Sequence, residues 1–224
     1  MRFVLGIVIA CAATLATVAK ATEVETWLVL MVDRSGSIDD DELGLQRSAY
    51  VEILGDPEIG ATFAGARVAI IEFDTRAELV VDWSTFAVAA QRYAAYAPAA
   101  PRGGTAIGGG LQLALSLLAD RPGHRIVDVS GDGRDNRDQI LLADMRARAR
   151  REGVEINGLV FESRSSDRVA RYFEERVITG FVVTIDDLND FADALRRKLR
   201  LELQLAGLDR SEITGAGHPL RPDE

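Results

Sequence analysis

The stretch that most constrains the fold is residues 27–37, Trp27-Leu-Val-Leu-Met-Val-Asp33-Arg-Ser35-Gly-Ser37, where an unbroken apolar run stops at an acid and two hydroxyls. A short apolar run without alternation, rich in β-branched residues and closed by a Gly turn, is predicted to be a strand buried on both faces, as in a parallel sheet. Asp33, Ser35 and Ser37 occupy alternate positions in the chain leaving that strand, and in extended backbone alternate side chains point the same way. One carboxylate and two hydroxyls then converge as hard oxygen donors, a set suited to Mg²⁺, Mn²⁺ or Ca²⁺. The same residue types also serve turns and helix caps, and Ser37 ahead of Asp39, Asp40 and Asp41 is equally compatible with opening the next helix.

The rest of the chain reads as alternating strands and helices. Residues 39–54 form an amphipathic helix stopped by Gly55-Asp56-Pro57, and 66–73 a second strand. Asp74-Thr75-Arg76 is too short for a crossover, so the strand beginning at Ala77 must return antiparallel as a hairpin. An Ala-rich helix over 85–97 is followed by Gly103-Gly104-Thr105 and a strongly apolar helix over 107–120. Strands at 125–130, 154–161 and 181–185 alternate with helices at about 136–152, 166–176 and 186–205, the last capped by Asp186 or Asp187. This order predicts an α/β, doubly wound, mostly parallel sheet with one antiparallel edge strand and helices on both faces. Ligands of such sheets sit beyond the carboxyl ends of the strands. The 33–37 cluster, Thr105 and Asp132 all fall at element ends.

A chain of 224 residues, 47% of them hydrophobic, suffices for one sizeable core. Residues 1–21 have an early Arg2, an apolar centre and a small-x-small ending at Ala19-Lys20-Ala21, and read as a signal peptide cleaved after Ala21. Val8-Ile-Ala-Cys11 also resembles a lipoprotein cleavage box, although little apolar segment precedes it. The expected organisation is therefore a leader at 1–21, one domain at 22–206 and a flexible tail at 207–224, in a periplasmic or secreted protein with no stable membrane span after cleavage. Cys11 is the sole cysteine, which rules out an intrachain disulfide. With 35 acidic against 26 basic residues the formal charge is −9, and loss of Arg2 and Lys20 makes it more negative. That balance argues against nucleic acid and anionic lipid as general partners.

Asp33-x-Ser35-x-Ser37 after a strand, Gly104-Thr105 before a helix and Ser130-Gly-Asp132-Gly133 after another strand, in that order, together resemble the von Willebrand factor type A (VWA) domain. The Val-Asp-Arg-Ser-Gly-Ser and Ser-Gly-Asp-Gly pieces look like a group of exported bacterial proteins built from that domain and lacking an assigned function. The resemblance spans roughly residues 25–200 and implies a metal-ion-dependent adhesion site. Ser35, Ser37 and Thr105 would offer hydroxyls to one Mg²⁺ or Mn²⁺, with Asp33 and Asp132 ligating directly or through water. The ion would capture a Glu or Asp of a protein partner, and the module would not be an enzyme. This chain departs from the common family pattern by placing Gly131 before the Asp-Gly pair; Asp135, three residues after Asp132, is read as a helix cap.

Other features carry less. The 103–110 glycine-rich segment lacks the Gly-Lys-Ser/Thr ending of a phosphate loop. His124 abuts a strand start and His218 lies in the tail, away from the cluster. Glu72, Asp74 and Asp82 read as the solvated face of an edge hairpin, and the 146–151 arginines as a solvated helix face. The alternative function is a metal-assisted hydrolase of phosphate or ester substrates, disfavoured because no general base stands beside the cluster.

Overall fold

A computed structural model of the chain describes residues 26–97, 103–162 and 168–215; the proposed leader and residues 216–224 lie outside the described residues. Its strands are β1 (Thr26–Asp33), β2 (Ala66–Phe73), β3 (Ala77–Ser84), β4 (His124–Gly131), β5 (Glu155–Phe161) and β6 (Val182–Ile185). The helices are α1 (Asp40–Gly55), α2 (Pro57–Thr62), α3 (Phe86–Ala95), α4 (Ile107–Leu118), α5 (Gln139–Glu152), α6 (Arg168–Tyr172) and α7 (Phe191–Gly215). The strands form one sheet in the order β3-β2-β1-β4-β5-β6, parallel throughout except for the β2–β3 pair. The doubly wound sheet with its antiparallel edge is the one the sequence predicts.

β1 is central because every one of its residues is buried. Leu28, Leu30 and Val32 face one layer, with Tyr50, Ile53 and Leu54 of α1 and Phe191, Leu195 and Leu199 of α7. Val29 and Met31 face the other, with Leu111 and Leu115 of α4 and Leu142 of α5. Successive side chains of a strand leave on opposite sides, so an unbroken apolar run serves two cores at once.

The boundaries show local chemistry at work. Asp56 ends α1 and caps α2, accepting from the Glu58 amide at 2.8 Å, with Pro57 at the first helical position; the expected stop is thus also a start. α6 widens into a π-helical turn over Phe173–Val177, and a 3₁₀ turn over Leu188–Asp190, capped by Asp187, precedes α7. α7 continues to Gly215, beyond the point where the tail is predicted to begin. Among the described residues no helix is long and apolar enough to cross a membrane.

From β1 the chain runs to α1 and then to β2 on one side; from β4 it runs to α5 and β5 on the other. The strand order therefore reverses between β1 and β4, and the loops leaving their carboxyl ends diverge to open a crevice.

Candidate metal centre

Three loops meet at that crevice. The one after β1 is shaped by Asp33, whose Oδ1 accepts the Ser35 amide at 2.7 Å. This turn brings the Ser35 and Ser37 hydroxyls to 3.2 Å from each other. Ser37 does not cap α1: Asp39 does, in a reciprocal pair with Glu42 in which each side chain accepts the other's backbone N–H, at 2.9 and 3.0 Å. Ser37 instead donates to Oδ1 of Asp132 at 2.7 Å, joining the loop after β1 to the loop after β4.

Thr105 enters from the segment before α4, which is tied down on both sides. The Gly36 amide donates to the Gly103 carbonyl at 2.8 Å, and the Gly104 amide to Thr75 Oγ1 at 2.9 Å. Asn136 clamps Thr105 twice: its Oδ1 accepts the Thr105 amide and its own amide donates to the Thr105 carbonyl, both at 3.0 Å. The side chain is buried against Gly133, where an added Cβ would stand 3.6 Å from Thr105 Oγ1 and 4.0 Å from Ser37 Oγ. The sequence-predicted set of Asp33, Ser35, Ser37, Thr105 and Asp132 thus gathers at one rim.

Asn136 and Thr75 went unread in the sequence, where polar residues in short loops carry no periodic signal. Asp135 is not the cap of the following helix that the sequence suggests: its Oδ2 accepts the Gly108 amide in the first turn of α4 at 2.8 Å, while Oδ1 accepts the Arg137 and Asp138 amides in the turn before α5. Asp138 caps α5. Gly131 has a reason of its own, since a Cβ there would come within 2.8 Å of Asp33 Oδ2. Glu72 and Asp74 correct the expectation of a solvated face. Both are buried, because α1 and α3 cover that side of β2, and Glu72 is held by Arg47 at 2.8 and 2.6 Å and by the Tyr93 hydroxyl at 2.8 Å. Arg34, between Asp33 and Ser35, lies among Glu72, Asp74 and Glu78 at 3.5–3.7 Å.

The electrostatics of the rim centre on Asp33. Its side chain is 1% exposed, and Oδ2 is buried without a hydrogen-bond partner. Burial pushes its carboxyl up to about 7, against the hydrogen bonds from Ser35, with the charges of Asp132 and Asp74 adding to the rise. A cation is what such a carboxylate lacks. The donors fit a hard ion: two carboxylates and three hydroxyls, with no cluster of three or more His, Cys, Asp or Glu side chains among the described residues. His124 sits at the start of β4, at the opposite end of the strand.

This fold, with three polar loops converging above the β1–β4 crevice, is that of a VWA domain. The chain belongs to the family described as "Protein of unknown function (DUF1194)", whose profile matches residues 23–206. Sequence comparison with curated proteins finds no match. Among solved structures, proximal thread matrix protein 1 from the mussel byssus, with a zinc-occupied MIDAS motif, superposes with a TM-score of 0.62 at 19% identity, over 81% of this chain and 47% of that one. A von Willebrand factor type A protein from Catenulispora acidiphila gives 0.59 at 19% identity, over 78% and 42%. The pilus adhesin SpaC from Lactobacillus rhamnosus GG, in an open conformation, gives 0.63 at 15% identity, over 81% and 30%. The chain spans less than half the length of each of these three proteins, and identities this low speak for the fold.

Proposed function

We propose that this chain is an exported, non-enzymatic binding module in which a divalent cation, Mg²⁺ or Mn²⁺, is held by Asp33, Ser35, Ser37, Thr105 and Asp132 and captures a carboxylate of a protein partner. The observation that carries the reading is the unpartnered, fully buried Oδ2 of Asp33 beside a chain of hydroxyls leading to Asp132. An uncompensated carboxylate in that position is costly, and a bound cation supplies the missing partner. Two carboxylates and neutral hydroxyls leave a divalent ion with residual positive charge, which an acidic side chain from outside can meet. The adhesin and matrix-protein relatives of the fold, one with zinc in this motif, support a binding role over catalysis.

Calorimetric titration of Mg²⁺ and Mn²⁺ into the wild type and an Asp33→Ala variant tests the proposal. We expect saturable binding to the wild type and a loss of at least tenfold in affinity in the variant. Equal affinities would remove Asp33 from the site, and no binding to either would end the metal reading.

A further inference from the structure

Below the rim, three ionisable side chains meet without solvent exposure between the sheet and α7. Asp128 stands in the middle of β4, paired in register with Leu30 and Asn157. Lys198 and Glu202 reach it from successive turns of α7, and the side chains of all three have no solvent exposure. Lys198 Nζ lies 2.6 Å from Asp128 Oδ1 and 2.5 Å from Glu202 Oε1. Both Asp128 oxygens nevertheless lack a hydrogen bond of good geometry, as does Glu202 Oε2. The nitrogen is pressed against the Asp128 carboxyl without the directionality of a hydrogen bond, and the Phe181 ring, 5.7 Å from Nζ, closes the pocket.

As an ion pair this arrangement is poor, because two carboxylates share one ammonium in a dry interior and oxygens remain unsatisfied. Burial, reinforced by the Asp128 charge, pushes the Glu202 carboxyl up to about 7 despite the opposing effect of Lys198, so Glu202 holds a proton readily. Desolvation works against the Lys198 ammonium, but the two carboxylates outweigh it and hold its pKa above the ordinary value, so the free amine arises only as its proton passes to Asp128 at the moment of reaction, leaving an amine and two carboxylic acids, all uncharged.

We propose that Lys198 and Asp128 condense to an intramolecular amide that ties α7 covalently to β4, with Glu202 as the proton carrier. The Nζ lone pair attacks Cγ of Asp128 and a C–N bond forms. The C–OH bond then breaks; Glu202 gives its proton to the departing hydroxyl, which leaves as water, and takes one from the nitrogen. No oxidant or co-reactant enters, and the reaction is independent of the metal centre. With a single cysteine in the sequence no intrachain disulfide is possible, so this amide is a covalent brace that cysteine chemistry cannot supply.

The test is a tryptic digest of the purified, denatured full-length chain read by mass spectrometry. Trypsin releases residues 126–134, containing Asp128, and would ordinarily cut after Lys198. The expected product is 126–134 joined to 198–200, uncut at Lys198 and lighter than the two parts by one water. Fragmentation should place the link on Lys198 Nζ. Separate peptides at full mass, with cleavage after Lys198, would overturn the proposal. In a Glu202→Gln variant with an unchanged circular dichroism spectrum the linked peptide should fall at least tenfold; an unchanged yield would remove Glu202 as the proton carrier. The wild-type digest decides the cross-link whether or not that variant folds.

Discussion

A carboxyl buried as deeply as that of Asp33 faces opposing demands, and pH exposes the conflict. Its folded-state pKa of about 7 stands above the ordinary 3.8, so the metal-free domain prefers the protonated acid. The sign follows from linkage: this contribution to stability is complete below the ordinary value and is lost as pH rises through about 7, on the order of 4 kcal/mol for a shift of this size. A bound cation favours the ionised form and opposes that loss. Melting temperatures in chelator should therefore fall between about pH 4 and pH 7, whereas with saturating Mg²⁺ the gap over the chelator curve should widen with pH. An Asp33→Asn variant should show no widening, and parallel wild-type curves across the range would exclude Asp33 as the coupled group. At this scale the sequence was readable where an apolar run ends in a polar cluster, as at Asp33, Ser35 and Ser37, although a turn after β1 and not continued extended backbone brings the two hydroxyls together. It was silent on Asn136, whose role depends on Thr105 arriving from a distant loop.

Between elements, the most consequential contact is the one joining α1, β2 and α3. Val68, Ile70 and Glu72 alternate onto the same face of β2, so Glu72 enters the core wherever that face is covered. Arg47 from α1 and Tyr93 from α3 then satisfy it, and the Arg47 guanidinium lies over the Tyr93 and Tyr96 rings at 5.9 and 5.5 Å. The alternation was visible in the sequence; the convergence of two helices on one acid was not, which is why Glu72 read as solvated while Asp82 is indeed exposed. Arg146 repeats the lesson, donating from α5 to the carbonyls of Glu174, Glu175 and Ile178 around the π-helical turn. Removing one partner of a buried pair leaves the other charge stranded, so Arg47→Met should cost about 3–5 kcal/mol by urea denaturation. The Arg47→Met/Glu72→Met double variant should recover part of that loss. Additive losses would mean the two side chains are not energetically coupled.

Over the whole molecule, what the sequence conveyed best was the order of elements, because apolar runs and helical periodicity are local properties. The strand sequence within the sheet rests on which core each helix covers, and α7 shows how far apart the contributing residues lie. Phe191, Ala194, Leu195, Leu199 and Leu203 line one stripe of α7, complete the layer built on α1 and cover Tyr50 and Phe161, with ring contacts from Phe191 at 5.6 and 5.2 Å. The same helix brings Lys198 to Asp128. All five proposed metal ligands precede it in the chain, so deletion of α7 separates the integrity of the rim from that of the core. A chain ending at Asp190 would expose that apolar layer and leave Asp128 without Lys198, two losses that together exceed the roughly 5–15 kcal/mol stability typical of a domain. It should therefore lose its near-ultraviolet dichroism and its cooperative urea transition, and added Mg²⁺ should not restore either, because ligand loops without a packed sheet beneath them cannot hold their geometry. A truncated chain that still unfolded cooperatively and bound Mg²⁺ with wild-type affinity would show that the rim is organised by β1, β4 and α4 alone, with α7 an accessory to the fold.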